Sequence, residues 1–397
     1  MTNDELRTLA DTYLINTYGS RTLALVRGQG THVWDADGKE YIDLFSGIAV
    51  CNLGHCHPKV TKAIVDQAQK LIHVSNLYNI EPQILLAKKL SDLCFAKKWF
   101  FCNGGAEANE SAIKIARRYW TVKGLYKPNI ITAEQSFHGR TLATITATGQ
   151  PKYHKGFEPM VPGFTYVPYN DTEAIEKALS PATGAILLEP IQGEGGIRMP
   201  SPNYLKEVRE ICNKHQVLLI FDEVQTGLGR TGYMFAHQAF DVTPDIMTLA
   251  KGLANGVPIG AMGCTEEIAQ GFSPGAHACT FGGNPLSTAT ALAVVEELSN
   301  PTFLENVRAL GKCFITGLSK IAEVHRKIKE VRGQGLMIGV EFDEPVNPLI
   351  NQMFSRGFIC GSAGPHVLRF LPPLIVEQQE LTQALHALEQ SLGELGW

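Results

Sequence analysis

The chain has 397 residues, 44% of them hydrophobic and 19% charged, and a formal net charge of -4. That length exceeds what one simple core serves, so two domains are expected, and the composition excludes a disordered or fibrous chain. The weak net charge gives no basis for a nucleic acid or an anionic membrane as partner. No apolar run approaches the length that spans a bilayer. Residues 1–6 are acidic and lack the basic-then-apolar layout of a signal peptide, which makes the cytoplasm the expected location. Nine cysteines, scattered and odd in number, fit reduced thiols better than a disulfide framework.

In chain order, residues 32–35 and 40–44 flank Ala36-Asp37-Gly38-Lys39, a hairpin signal with Asp-Gly in the turn. Residues 58–71 and 81–93 carry helical periodicity. From about Lys98 strands and helices alternate. A strand at 99–102 precedes a helix over 106–120, 129–132 and 185–188 are strands, and 204–214 is a helix. Val217-Leu218-Leu219-Ile220-Phe221 and Asp245-Ile246-Met247-Thr248-Leu249-Ala250 are short apolar runs, the mark of parallel strands buried on both faces. After about Pro285 the pattern turns helical (286–298) and then mixed, with strand candidates at 335–341 and 366–370. The expected fold class is α/β. A large domain over 58–285 has a mostly parallel sheet with helices on both faces, and a smaller α+β domain is built from segments 1–57 and 286–397.

The two buried runs end in chemistry: the first at Asp222-Glu223-Val224-Gln225-Thr226-Gly227, the second at Lys251-Gly252. Ligands of such sheets bind outside the carboxyl ends of the strands, so a carboxylate and an amine share one rim. Pyridoxal phosphate (PLP) needs that pair, a lysine as covalent anchor and a carboxylate that keeps the pyridine nitrogen protonated. Taken singly, Lys251 also reads as a solvated lysine and Asp222 as a loop or cap carboxylate. Cys102-Asn103-Gly104-Gly105-Ala106-Glu107-Ala108-Asn109-Glu110 sets two glycines between a strand and a helix, whose free amides suit a phosphate. An ordinary strand–helix turn has the same pattern.

Phe137-His138-Gly139-Arg140-Thr141 joins a ring able to stack on a pyridine to an arginine. Arg140, and Arg369 within Val367-Leu368-Arg369-Phe370, are candidates for two-pronged carboxylate binding. Surface charge is the plainer reading of both, weaker for Arg369 because apolar residues flank it. Glu194 lies in the glycine-rich loop 189–196, where it could pair with one arginine and release it when a dicarboxylate arrives. Two patterns compete. Gly227-Leu228-Gly229-Arg230-Thr231-Gly232 matches a dinucleotide-binding spacing but opens no clear helix. Cys51, His55, Cys56 and His57 fit no standard zinc spacing, so no metal is expected.

With these pieces in order, essentially the whole chain resembles the class III aminotransferases of PLP fold type I. Besides the stretches already quoted, Gly54-His55-Cys56-His57-Pro58, Glu189-Pro190-Ile191-Gln192-Gly193-Glu194-Gly195-Gly196, Leu249-Ala250-Lys251-Gly252 and Thr280-Phe281-Gly282-Gly283-Asn284-Pro285 carry the resemblance. It implies that Lys251 anchors the cofactor and shuttles a proton, that Asp222 holds the pyridine nitrogen, and that Gln225 holds the phenolic oxygen. Gly105 and Ala106 would bind the phosphate through backbone amides, with Thr280 reaching it from the other subunit of a homodimer. Phe137 would stack on one face of the ring and Val224 on the other. Arg140 and Arg369 would hold substrate carboxylates, with Glu194 gating Arg369. Two positions depart from the usual pattern: Gly104 stands where a serine is common, and Cys279 where a serine commonly touches substrate.

The resemblance further implies transfer of the terminal amine of an acylated ornithine, N-acetylornithine first, to 2-oxoglutarate. Ile48 favours the acylated substrate, because ornithine-specific relatives tend to carry a tyrosine there. Succinylornithine, succinyl-diaminopimelate, ornithine and 4-aminobutyrate are the alternative amino donors. From other classes, a nicotinamide-dependent oxidoreductase and a non-catalytic binding protein stay open.

Overall fold

The computed structural model describes residues 1–19 and 21–397. A seven-stranded sheet runs in the spatial order Lys98–Cys102, Gly260–Cys264, Ile246–Leu249, Leu218–Asp222, Thr183–Leu188, Asn129–Ala133, Phe164–Val167. The five strands from Ile246–Leu249 to Phe164–Val167 pair in parallel. Gly260–Cys264 is antiparallel to both of its neighbours. The mostly parallel sheet is therefore present, with one reversed strand that residue pattern alone did not disclose.

Alternation along the strands explains the burial on both faces. Ala185, Leu187, Leu218 and Ile220 point into one apolar layer, shared with Ala112, Ile115 and Ala116 of the helix Gly105–Val122. Ile186, Leu188, Leu219 and Phe221 point into the other, shared with Leu205 and Val208 of the helix Tyr204–His215. Every residue of Leu218–Asp222 and of Ile246–Leu249 is buried. A slip of one residue would exchange the two layers, so the register at the strand ends is fixed.

Two four-stranded sheets flank this body. The predicted hairpin is formed by His32–Asp35 and Glu40–Asp43. The far-removed strand Phe358–Ile359 pairs in parallel with Glu40–Asp43, so the first and last segments of the chain share a sheet. The other sheet contains Ile328–Gln334, Met337–Phe342, Val367–Phe370 and Gly361–Ser362. The strand expected at 335–341 runs instead over Met337–Phe342, because Gly335 turns the chain at φ +57° after an unforeseen partner, Ile328–Gln334. The helix Pro285–Leu298 packs against Pro58–Lys70 and Glu81–Leu93.

Candidate active site

Strand register brings Asp222 opposite Thr248, and Lys251 follows three residues beyond Thr248. Lys251 sits at φ +44°, a conformation in which a residue with a side chain is uncommon and which clusters at functional sites. Both side chains line one cavity of about 400 Å³. Gly105, Ala106, Phe137, Val224, Gln225, Arg140 and Glu194 line the same cavity. The predicted rim of the sheet borders this one cavity.

Asp222 is buried, and three donors fix it. Its Oδ2 accepts from Asn109 Nδ2 at 2.7 Å and from His138 Nδ1 at 2.8 Å, and its Oδ1 accepts from the Val224 amide at 3.0 Å. Asn109 is held in turn by the Thr248 hydroxyl at 2.7 Å and by its own bond to the His138 carbonyl at 2.8 Å. A carboxylate is an acceptor only, so the imidazole donates from Nδ1. This web holds the carboxylate at one angle, facing the cavity that Lys251 also lines.

Burial pushes the pKa of Lys251 down, reinforced by Arg369 and opposed by Glu194, Asp222 and Glu189. The amine is thereby neutral at a lower pH than an exposed lysine, which suits a nucleophile.

Gly104 is extended and provides no side-chain cap, so the first-turn amides of Gly105–Val122 are free to serve an anion. A Cβ on Gly105 would lie 2.8 Å from Val224 Cγ1. Gly139 has φ +137°, and a Cβ there would fall 2.8 Å from Ala106 Cβ, so only glycine lets the Phe137–Arg140 stretch cross the helix start. Cradle, flanking Phe137 and Val224, anchored Asp222 and buried lysine together fit PLP, which when bound supplies an electron sink for a carbanion at the substrate carbon.

The two arginines differ in state. Arg369, 2% exposed, donates from Nη1 to Glu194 Oε1 at 2.5 Å, and its guanidinium lies 5.2 Å from the Phe45 ring centroid. Burial pushes the Glu194 carboxyl up, but Arg369, Lys251 and Gln225 together outweigh it and hold the group below its usual range. Gln225 bridges the pair at 3.4 Å to each partner. Arg140 is exposed, stacks 4.2 Å from the Tyr153 ring centroid, and has no carboxylate partner among the described residues. One cation is therefore open to a carboxylate, and the other is already paired with Glu194.

Cys279 and Thr280 line a separate hollow with Asn76 and Trp99, away from Lys251 of the same chain. Cys279 Sγ accepts from Asn103 Nδ2 at 3.2 Å, and Asn103 lines the Lys251 cavity. Ile48 stands two residues before Val50, which lines that cavity. His55 of the competing Cys/His pattern bonds Asp43 at 2.8 Å.

Residue reasoning missed Asn109, His138 and Glu189. Glu189 carried the same signal as Asp222, an acid closing a buried apolar strand. It lines the cavity and accepts from the Phe137 amide and the Gly193 amide, each at 3.0 Å. Burial, with Asp222 adding to it against His138, raises its pKa to about 7.

Residues 15–392 match the family model for aminotransferase class III. The acetylornithine aminotransferase of Caldanaerobacter subterraneus subsp. tengcongensis is 51% identical over 385 residues, covering 96% of this chain and 98% of its own. The crystal structure of N-acetylornithine aminotransferase from Stenotrophomonas maltophilia is 38% identical with a TM-score of 0.84, over 98% of both chains. The ornithine aminotransferase of Toxoplasma gondii, with partial occupancy of PLP at its active site, is 34% identical with a TM-score of 0.94, over 98% of this chain and 94% of its own.

Proposed function

The chain belongs to the class III aminotransferases, PLP-dependent enzymes, and we propose that its amino donor is N2-acetyl-L-ornithine and its acceptor 2-oxoglutarate. The products are then N-acetylglutamate 5-semialdehyde and L-glutamate, a step of arginine biosynthesis. The unequal arginines carry this reading. A donor that presents a terminal amine needs one carboxylate site, which Arg140 offers while Glu194 keeps Arg369 occupied. A dicarboxylate acceptor needs both, and Arg369 becomes available when Glu194 swings away. The half-identical relatives that bear acetylornithine in their names support the same donor.

Within that reading Lys251 anchors the cofactor and carries the proton to and from the substrate carbon. Asp222 holds the pyridine nitrogen, and Gln225 the phenolic oxygen. The experiment compares turnover of acetylornithine, succinylornithine, ornithine and 4-aminobutyrate with 2-oxoglutarate. Acetylornithine should give the highest kcat/KM, with parallel double-reciprocal lines. A clear preference for ornithine or 4-aminobutyrate, or intersecting lines, would overturn it.

The active unit is a homodimer in which Thr280 serves the partner's phosphate. Its placement outside the cavity of its own chain supports this, as do the exposed Leu77 (86%), Tyr78 (69%) and Phe281 (60%) around the same hollow. A fully active monomer in sedimentation would remove the claim. The nine free cysteines support the cytoplasm as its location.

A further inference from the structure

The stretch Gly227-Leu228-Gly229-Arg230-Thr231-Gly232 opens no helix of the kind a dinucleotide fingerprint requires, and Arg230 at its centre is 0% exposed. Among the described residues, no carboxylate bonds its guanidinium. Nη1 donates to the Leu336 carbonyl at 3.0 Å and the Pro372 carbonyl at 2.6 Å, and Nη2 to Asn52 Oδ1 at 2.7 Å and Ser46 Oγ at 3.4 Å. Burying a cation on neutral acceptors is unfavourable, and burial pushes its pKa down to about 9. A hydrophobic residue of similar size would often serve stability as well. The four bonds therefore call for a geometric explanation.

Three of the four bonds lead toward the active site. Ser46, Gly47, Ile48 and Ala49 are consecutive residues with positive φ (+45°, +64°, +67°, +59°), and the turn they form leads into Val50 on the cavity wall. Such conformations cost about 1–2 kcal/mol for each residue with a side chain, so neighbours must hold the turn. Ser46 Oγ, which Arg230 contacts, donates to the Leu371 carbonyl at 2.7 Å, two residues from Arg369. Pro372 lies one residue further. Asn52 Nδ2 donates to the Leu228 carbonyl at 2.8 Å while Oδ1 takes Arg230, so the amide is held at both ends. That amide presses on Gly252, next to Lys251: a Cβ there would lie 2.4 Å from Asn52 Nδ2.

We propose that Arg230 is a positioning residue for the transamination. Through Asn52 it sets the turn that aims Lys251, and through Ser46 and Pro372 it sets the Val50 wall and the Arg369 strand against that turn. The proposal rests on the aminotransferase reading of the Lys251 cavity. A displacement of the reacting groups by about 1 Å is enough to lower a rate by ~10²-fold.

The test uses Arg230→Lys, Asn52→Ala and the double variant, compared with the parent dimer. In the PLP-loaded enzymes, single-turnover rates per bound cofactor should fall roughly 10–100-fold in both single variants. KM should change by less than about threefold, and the pH midpoint of the visible absorbance band should shift. The double variant should be no slower than the slower single variant, because the two groups act as one unit. In the cofactor-free proteins, hydrogen exchange should speed up in 44–54 and 249–255. This readout needs no substrate, so it separates failure of the clamp from failure of the aminotransferase reading. Unchanged exchange in both segments would overturn the proposal. So would per-site rates within about twofold of the parent alongside a lowered melting temperature, which is what a merely structural role gives. Asn52→Ala leaves Arg230 its other three acceptors, so the outcome is decided even where Arg230→Lys fails to fold.

Discussion

Replacing Glu189 with glutamine should lower stability at low pH and lower it less, or not at all, at high pH. The parent carboxyl titrates at about 7 in the fold against an ordinary 4.5, chiefly because it is buried. A raised carboxyl pKa means that the native state holds a proton that the unfolded chain has released. The stability linked to this group is therefore fully present below about 4.5 and is lost as pH rises through about 7. At about 1.4 kcal/mol per unit, the shift corresponds to a loss of roughly 3 kcal/mol by pH 8.5. Glutamine does not titrate and escapes that loss. It also presents an amide NH2 to either the Phe137 or the Gly193 amide, where the carboxyl accepted from both at 3.0 Å. One buried donor left without an acceptor costs about 1–3 kcal/mol at every pH.

Glu189→Gln should thus be less stable than the parent at pH 5, with the deficit shrinking or reversing by pH 8.5. For 397 residues at about 2.1 cal/mol/K each, a swing of roughly 3 kcal/mol moves the difference in Tm by about 3–4 °C. Thermal melts of both proteins, stripped of cofactor so that no ligand titrates, read this directly. His138, Asp222, Lys251 and Tyr169 lie near the same group and are the same in both proteins, so the comparison isolates position 189. A Tm difference constant to within about 1 °C from pH 5 to pH 8.5 would refute the reasoning.

Lys251→Ala should still bind PLP through the helix start and Phe137, yet lose borohydride-trapped label and more than the ~10²–10⁴-fold that proton transfer alone supplies. Retained label with near-normal turnover would shift the anchor to another lysine. Asp222→Ala should keep the label and lose rate, with mass spectrometry of the trapped peptide separating the two roles. Glu194→Gln removes the charge that neutralises Arg369, so glutamate, which needs Arg369, should bind more tightly while the acetylornithine half-reaction slows. Equal effects on both half-reactions in stopped-flow would count against gating. His55 is raised to about 10 from 6.5, first by its bond to Asp43. The pair's contribution is full below about 6.5 and is lost as pH rises through about 10, so His55→Gln should cost about 1.5–3 kcal/mol at pH 6 and little at pH 10.5 in denaturant titrations.

What the residues disclosed and what they hid follow one physical division. Asp222 and Lys251 were legible because a buried strand must be apolar along its length, so the first polar residue marks the rim where ligands bind. Arg369 was legible for the related reason that apolar neighbours on a buried strand make a cation conspicuous. Glu189 obeyed the same rule and was left unread, since nothing in its own segment says that its oxygens meet Phe137 and Gly193. Asn109 and His138 stood within quoted stretches, but their roles are set across 113 and 84 residues of chain, by a topology that no local pattern carries. The strand Gly260–Cys264 was hidden because Gly-Ala-Met-Gly-Cys has weak strand propensity, and its burial between two neighbours overrides that preference. Arg230 is the sharpest case. Its glycine-flanked pattern matched a dinucleotide-binding spacing, whereas Gly229 (φ +85°) and Gly232 (φ +82°) in fact form a tight turn that carries a buried arginine. The glycines were a true signal of close approach, and what they approach is the protein's own Leu374 and Arg308 side chains. A glycine pattern therefore reports crowding at the backbone, and only the fold decides whether the crowding partner is a ligand or another part of the chain.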